Sequence, residues 1–238
     1  MAECREFLQQ LIRSRHPLLG GILAFNRRLV SRLRPDVLSP AGRTLAPLAA
    51  EERASARLAR HLPLLVAAQH PPHPHWLLDF RAPRHRLALL PETSLLHLAR
   101  WHGLTRHRAQ VATLIDRAEV LALRAEVGEA GHFFALRRSS LLPGAREAAP
   151  QPAPETKKTP LPERIRHTGF AAIARCLAGA GPALLDALAL VLHGDFAGHI
   201  AAVRTSPPAS ADAAVDEWPL LSTLLFKELD PAWEAFFS

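Results

Sequence analysis

The chain has 238 residues, 48% hydrophobic and 21% charged, enough for one large domain or two small ones with a real core. Aromatics are scarce at 6% and tyrosine is absent. Leucine and alanine must therefore do the packing, which disfavours a β-sandwich and predicts an all-α fold: a compact multi-helix domain with Pro-rich loops and at most a minor β element near 76–90. The two cysteines, Cys4 and Cys176, exclude a disulfide framework and a CxxC site and fit a reducing compartment. The net charge of +7 is uneven: residues 1–148 carry +10, with every basic residue an arginine, and residues 149–238 carry −3. Such a half invites an acidic protein, nucleic acid or an anionic membrane, although Arg, Ala and Pro abundance with almost no Lys is also what GC-rich codons produce.

The start, "MAECREFLQQ", carries Glu3 and Glu6 where a secretory peptide needs a basic start and an apolar run. The most apolar region, Phe170 to Leu192, is interrupted by Arg175, "GAGP" and Asp186, so no spanning helix is predicted and a soluble protein is expected.

In chain order, residues 17–36 place Ile22, Phe25, Leu29 and Leu33 at near-helical spacing, with Arg27, Arg28, Arg32 and Arg34 mostly off that line. This is either a core helix with a solvated arginine face or a basic amphipathic helix for a membrane or an acidic partner. A scaffold helix is expected near 48–62. The stretch "AAQHPPHPHWLLDF", 67–80, sets His70, His73 and His75 close together. Pro71, Pro72 and Pro74 forbid a regular helix there, and only Asp79 lies near as a supporting ligand. An exposed connection is expected, with a metal site as the weaker alternative and no metal assigned.

From Leu87 the pattern sharpens into four short helices. Leu95, Leu98 and Ala99 share a face, Gly103 is read as the stop of the first, and Thr105 as the cap of the second, which carries Val111, Leu114 and Ile115. Asp116 and Glu119 open the third, closed by Gly128, and the fourth covers 132–140. Residues 143–162 hold six prolines and read as a linker or long loop. Two helices follow, 165–179 and 182–192, then a loop and a helix over 219–229 with Leu221, Leu224 and Leu225 inward. The expected organisation is an N-terminal helical segment (1–75), a central helical unit (76–142), the linker (143–162), and C-terminal helices (163–238) packed on the central unit.

The chain has no Gly-rich phosphate loop, no nucleophile elbow and no supported carboxylate pair, so no catalytic residue and no cofactor is expected. His193-Gly-Asp195 reads as a helix stop rather than as a fragment of an acid–base site. "LARWHGLTRHRAQVATLI" imitates a helix-turn-helix, with Arg106, Arg108 and Gln110 on a would-be recognition helix. A DNA-binding protein using 95–115 is therefore the alternative reading.

The pieces "RLALLP", "LARWHGL", "LRAEVG" and "FALRRSSLL", followed in order by "TGFAAIARCLA" and "WPLLSTLLFKELDPAWEAFF", resemble the SctK (YscK) family of type III secretion proteins. The resemblance covers about two thirds of the chain. It implies a cytoplasmic adaptor of the injectisome sorting platform, at the cytosolic face of the inner membrane. Its implied partners are the inner-membrane ring protein (SctD-like) and the pod protein (SctQ-like). It implies no enzyme activity, small-molecule substrate or cofactor, and only indirect membrane contact. Trp233, Phe236 and Phe237 in the terminal turn are the candidate partner-binding residues, with Trp233 expected in the core and the two phenylalanines at its edge.

Overall fold

A computed structural model describes residues 2–67, 77–142, 159–205 and 216–237. The described residues are helical, and the β structure among them is one isolated antiparallel bridge, Leu38–Val66.

Helix α1 (Ala2–Ser14) ends where Arg15 turns left-handed, at φ 53. Helix α2 (Pro17–Arg27) starts on the His16 side chain, whose Nδ1 accepts from the Leu18 amide at 3.1 Å, and has proline in its first turn. Ile22, Phe25, Leu29 and Leu33 are all buried, so their stripe is core. The helix nonetheless stops at Arg27, and 3-10 turns at Val30–Arg32 and Pro35–Val37 carry the stripe onward. The arginines divide. Arg27 and Arg28 are exposed, Arg32 lies 5.6 Å over the Phe25 ring, and Arg34 Nη1 donates to the Leu192 carbonyl at 3.1 Å.

Next come α3 (Pro40–Leu45), capped by Ser39, then α4 (Glu52–Leu58) and α5 (Leu62–Leu65). The helix expected near 48–62 is thus broken. Pro47 opens a 3-10 turn over Ala46–Ala50 before α4, and a second turn, Ala59–His61, precedes Pro63 in α5. Pro83 opens a longer 3-10 stretch to Leu89, in the region where the sequence allows at most a minor β element.

Helix α6 (Glu92–Arg106) is followed by the single turn α7 (Arg108–Ala112) and by α8 (Arg117–Arg137). Asp116 caps α8 by accepting from the Glu119 amide at 3.0 Å, and Gly128, at φ 74, breaks it into two halves, as the sequence predicts. After α9 (Leu161–Leu177) and α10 (Pro182–Val191), α11 (Gly194–Thr205) begins at a left-handed Gly194. The stop at His193-Gly194 is as expected. The helix after it, with Phe196, Ala197 and Ile200 buried, lies in a stretch where the sequence pattern predicts no element. Helix α12 (Trp218–Thr223) runs into a π-helical turn, Leu224–Leu229. A 3-10 turn, Pro231–Trp233, then leads to α13 (Glu234–Phe237).

The chain forms two compact units that interleave in sequence. The first comprises Met1–Leu90, Leu177–Pro207 and Glu234–Ser238. Leu18, Ile22, Leu65, Phe80, Leu87 and Leu90 are fully buried there, and Phe25 meets Phe80 edge-on at 6.0 Å. Asn26 fastens α2 to the neighbouring extended chain by exchanging two hydrogen bonds with Leu77, its Nδ2 donating at 2.8 Å and its Oδ1 accepting at 2.7 Å.

The second unit comprises Pro91–Cys176 and Pro208–Trp233. Its core draws on Leu95, Leu98, Leu104, Leu123, Phe134, Ile165, Leu221 and Leu224, with Trp101 stacked on Phe134 at 4.2 Å. Helices α6 and α9 cross almost backbone to backbone. A Cβ on Gly103 would stand 1.9 Å from the Ile165 oxygen, and one on Gly169 1.9 Å from the Ala99 oxygen. Gly103 therefore does not end a helix. It lies inside α6, at ordinary helical φ, because only glycine admits α9 at that distance.

Candidate functional site

The close crossing of α6 and α9 brings His102 and Arg106, one turn apart on α6, to the same place as Arg175 on α9. The chain returns there at Glu217, just before α12. All four belong to the second unit. Glu217 Oε2 accepts from His102 Nε2 at 2.9 Å and from Arg106 Nη2 at 2.6 Å, and Oε1 accepts from Arg175 Nη2 at 2.7 Å. The His102, Arg106 and Glu217 side chains are 0%, 4% and 7% exposed, whereas Arg175 is 47% exposed. One carboxylate thus answers two guanidiniums, and the surplus positive charge rests on the arginine that reaches water.

Burial alone would push the Glu217 carboxyl up, but the hydrogen bond from His102 and the hydrogen bond and positive charge of Arg106 outweigh it and hold the group at about 2. Burial pushes His102 down, against the pull of Glu217. Its Nδ1 is buried and has no hydrogen-bond partner. The neutral ring with the proton on Nε2 satisfies both observations: it donates to Glu217 and leaves an empty acceptor rather than a stranded N–H. Both Glu217 oxygens are committed to cations or donors, so this carboxylate is a structural anchor and not a free base.

The rest of the would-be DNA-reading helix is also turned to the fold. Arg106 is buried in the cluster, and Thr105 hydroxyl donates to the Trp101 carbonyl inside α6 instead of capping the next helix. Gln110 meets His107, whose Nε2 bonds Thr168 at 2.8 Å. Burial lowers the His107 pKa. Helix α7 has five residues, a single turn, and only Arg108 of the three proposed readers is exposed. A recognition helix must present several side chains along a groove, which this turn does not do.

His70, His73 and His75 lie outside the described residues. Among the described residues, no group of three or more His, Cys, Asp or Glu side chains is placed to hold a metal ion. In the first unit, Arg27, Glu51, Arg53, Ala56 and Arg57 line a basic pocket of about 710 Å³. Of the C-terminal aromatics, Phe237 is buried at 8% exposure, while Trp233 and Phe236 are half-buried. This inverts the sequence expectation, which placed Trp233 inside and Phe237 at the edge. Within the first unit the Phe236 ring packs on Gly21, and Arg86 Nη1 donates to the Phe236 carbonyl at 3.0 Å.

Sequence reasoning missed Glu217, His102 and Arg175. Glu217 stands directly before "WPLL" and has no local mark of burial. Its partners on α6 and α9 are 115, 111 and 42 positions away.

Residues 33–227 match the model of the family described as YOP proteins translocation protein K (YscK). No curated protein and no solved structure matches the chain. The match runs through α6, the Gly103–Gly169 crossing, the Glu217 cluster and α12, and so spans most of both units. This chain belongs to the YscK family and is a type III secretion protein.

Proposed function

We propose that this protein is an adaptor of the type III secretion sorting platform. It works at the cytosolic face of the inner membrane and links an SctD-like ring protein to an SctQ-like pod protein. The family match over residues 33–227 carries the proposal. Two further observations support it. None of the helices among the described residues is long and apolar enough to cross a membrane, so membrane association would come through a partner. The most prominent ionic cluster, around Glu217, is sequestered, which suits a scaffold that acts by binding rather than by turnover.

In this reading Trp233 and Phe236 are the partner-facing anchors at the C-terminal turn, and Phe237 is the residue that seats the turn. Half-exposed tryptophan and phenylalanine are common among interface anchors. The test is co-purification of the full chain with the purified pod protein and with the cytosolic domain of the ring protein from the same secretion system. Binding of both, singly and as a ternary complex, is expected. A chain that binds neither would overturn the adaptor assignment.

A further inference from the structure

The basic cleft of the first unit is lined by Arg27, Glu51, Arg53, Ala56 and Arg57. Its volume of about 710 Å³ lies within the roughly 300–1,000 Å³ of sites that enclose a ligand. Arg27 comes from the last turn of α2, Arg53 and Arg57 come from α4, and Glu51 stands directly before α4. Arg53 and Arg57 are four apart and so share one helix face, with about 6 Å of axial rise between them. The three arginines and Glu51 are all exposed. Among the described residues, Glu51, Arg53 and Arg57 have no ion-pair partner, so the cleft holds cationic forks that the fold itself does not use.

The lining also says what kind of anion fits. Three guanidiniums against one carboxylate call for a ligand with more than one negative group, since each fork can take a carboxylate or phosphate bidentately. Glu51 asks in addition for a hydrogen-bond donor. A nucleic-acid backbone or an anionic bilayer is a continuous run of acceptors and would set phosphate against Glu51, and no aromatic ring lines the cleft for a base to stack on. An α-helix spends its amide N–H groups on itself, whereas an extended peptide keeps them free for Glu51. Alternate residues of an extended chain stand about 6.5–7 Å apart on one side, close to the rise between Arg53 and Arg57. Of the acidic protein, nucleic acid and anionic membrane that the basic front half invites, this cleft matches the first.

We propose that the cleft lined by Arg27, Arg53 and Arg57 takes an extended acidic segment of a partner protein. Two of its carboxylates, on alternate residues, pair with Arg53 and Arg57, and a backbone N–H between them donates to Glu51. Arg27 adds positive charge at the rim and draws the segment in. This rests on the adaptor reading and deepens it, by naming the chemistry that one of the adaptor's binding sites recognises.

The test titrates the full chain, at physiological salt, into a labelled peptide of alternating Glu and Ala, followed by fluorescence anisotropy. The matching Gln–Ala peptide, a single-stranded oligonucleotide and phosphatidylglycerol vesicles are the parallel probes. Saturable binding of the Glu–Ala peptide and none of the Gln–Ala peptide is expected. Arg53→Ala/Arg57→Ala should weaken it at least about tenfold, with melting unchanged because both sites are exposed. Arg5→Ala/Arg13→Ala removes the same charge from exposed positions of α1 in the same unit and should change it less than about twofold. The same Arg53/Arg57 variant should bind either the ring or the pod protein at least about tenfold more weakly, and the Glu–Ala peptide should compete with that partner. No peptide binding, equal losses in the two double variants, or tighter cleft-dependent binding of the oligonucleotide or the vesicles would overturn the site. If the unmodified chain binds ring and pod proteins and the Arg53/Arg57 variant binds both as well, the adaptor reading survives and only this cleft is wrong. If the unmodified chain binds neither, the adaptor reading falls, and the peptide titration still reports on the cleft.

Discussion

Glu217 meets two guanidiniums and an imidazole with one carboxylate, so removing its charge leaves Arg106 buried without its anion. Breaking a buried pair on one side costs about 3–5 kcal/mol, far more than the pair contributes relative to a well-packed apolar replacement. Glu217→Gln should lose that much in urea unfolding, and an unfolding free energy within about 1 kcal/mol of the parent would show that the cluster is solvated. The same residues set an acid limit. The folded-state pKa of His102 lies below its ordinary 6.5, so the unfolded chain binds a proton the folded chain refuses. That stability is present above about 6.5 and erodes as the pH falls below it. Glu217, held at about 2 against an ordinary 4.5, adds a second loss at lower pH, in the same direction. Melting should therefore fall between pH 7.5 and 5.5 and less steeply in His102→Gln, whose amide can still donate to Glu217. A parent melting temperature flat across that range would contradict the neutral His102. None of this was legible in the sequence, because a carboxylate is read as buried only when its partners are near, and here the chain brings them from two distant helices.

At the scale of an element, the two glycines of the crossing and the one in α8 separate what one sequence can say from what it cannot. At Gly128 the residue does what its type predicts, a left-handed stop after an apolar run that begins at a capping aspartate. At Gly103 the same residue type, again at the end of an apolar run, is a contact point, and only the position of Ile165 distinguishes the two roles. Helix positions with a stripe, such as Leu221, Leu224 and Leu225, were read correctly because periodicity alone carries them. The shortness of α7 and the break of 48–62 into turns were not, since a single turn leaves no period to read. Gly103→Ala and Gly169→Ala should each cost about 1–3 kcal/mol or more, because backbone oxygen cannot yield as a side chain can. Gly128→Ala should cost about 1–2 kcal/mol through its positive φ alone, with no steric neighbour involved. Equal tolerance of alanine at 103 and at an exposed helix position, measured by thermal melting, would mean that α6 and α9 do not approach as closely as this.

For the whole molecule, the family match and the two interleaved units make the C-terminus informative, because the last residues leave the unit that holds Trp233 and join the one that holds α2 and Arg86. The sequence indicated that the terminal aromatics had to be covered, since large apolar groups in a fraying end are costly to expose. It could not rank them, because a four-residue turn has too little period to assign a face. The burial ranks them: Phe237 is inside, while Phe236 and Trp233 are shared between fold and surface. Arg86, 6% exposed, secures the turn by donating to the carbonyls of Phe80 at 3.0 Å, Arg81 at 3.3 Å and Phe236 at 3.0 Å, so the last helix is held by backbone acceptors as well as by its rings. Phe237→Ala should therefore cost about 3 kcal/mol, the low end for a buried phenylalanine because the site lies at a chain end. Trp233→Ala/Phe236→Ala should cost less stability than Phe237→Ala alone, yet weaken binding to the ring or pod protein by at least about 2 kcal/mol. Thermal melting and titration calorimetry on the same three proteins separate the two effects. If the double variant loses more stability than Phe237→Ala and keeps its partner affinity, the half-exposed aromatics are packing residues and the partner-facing role of the C-terminal turn is wrong.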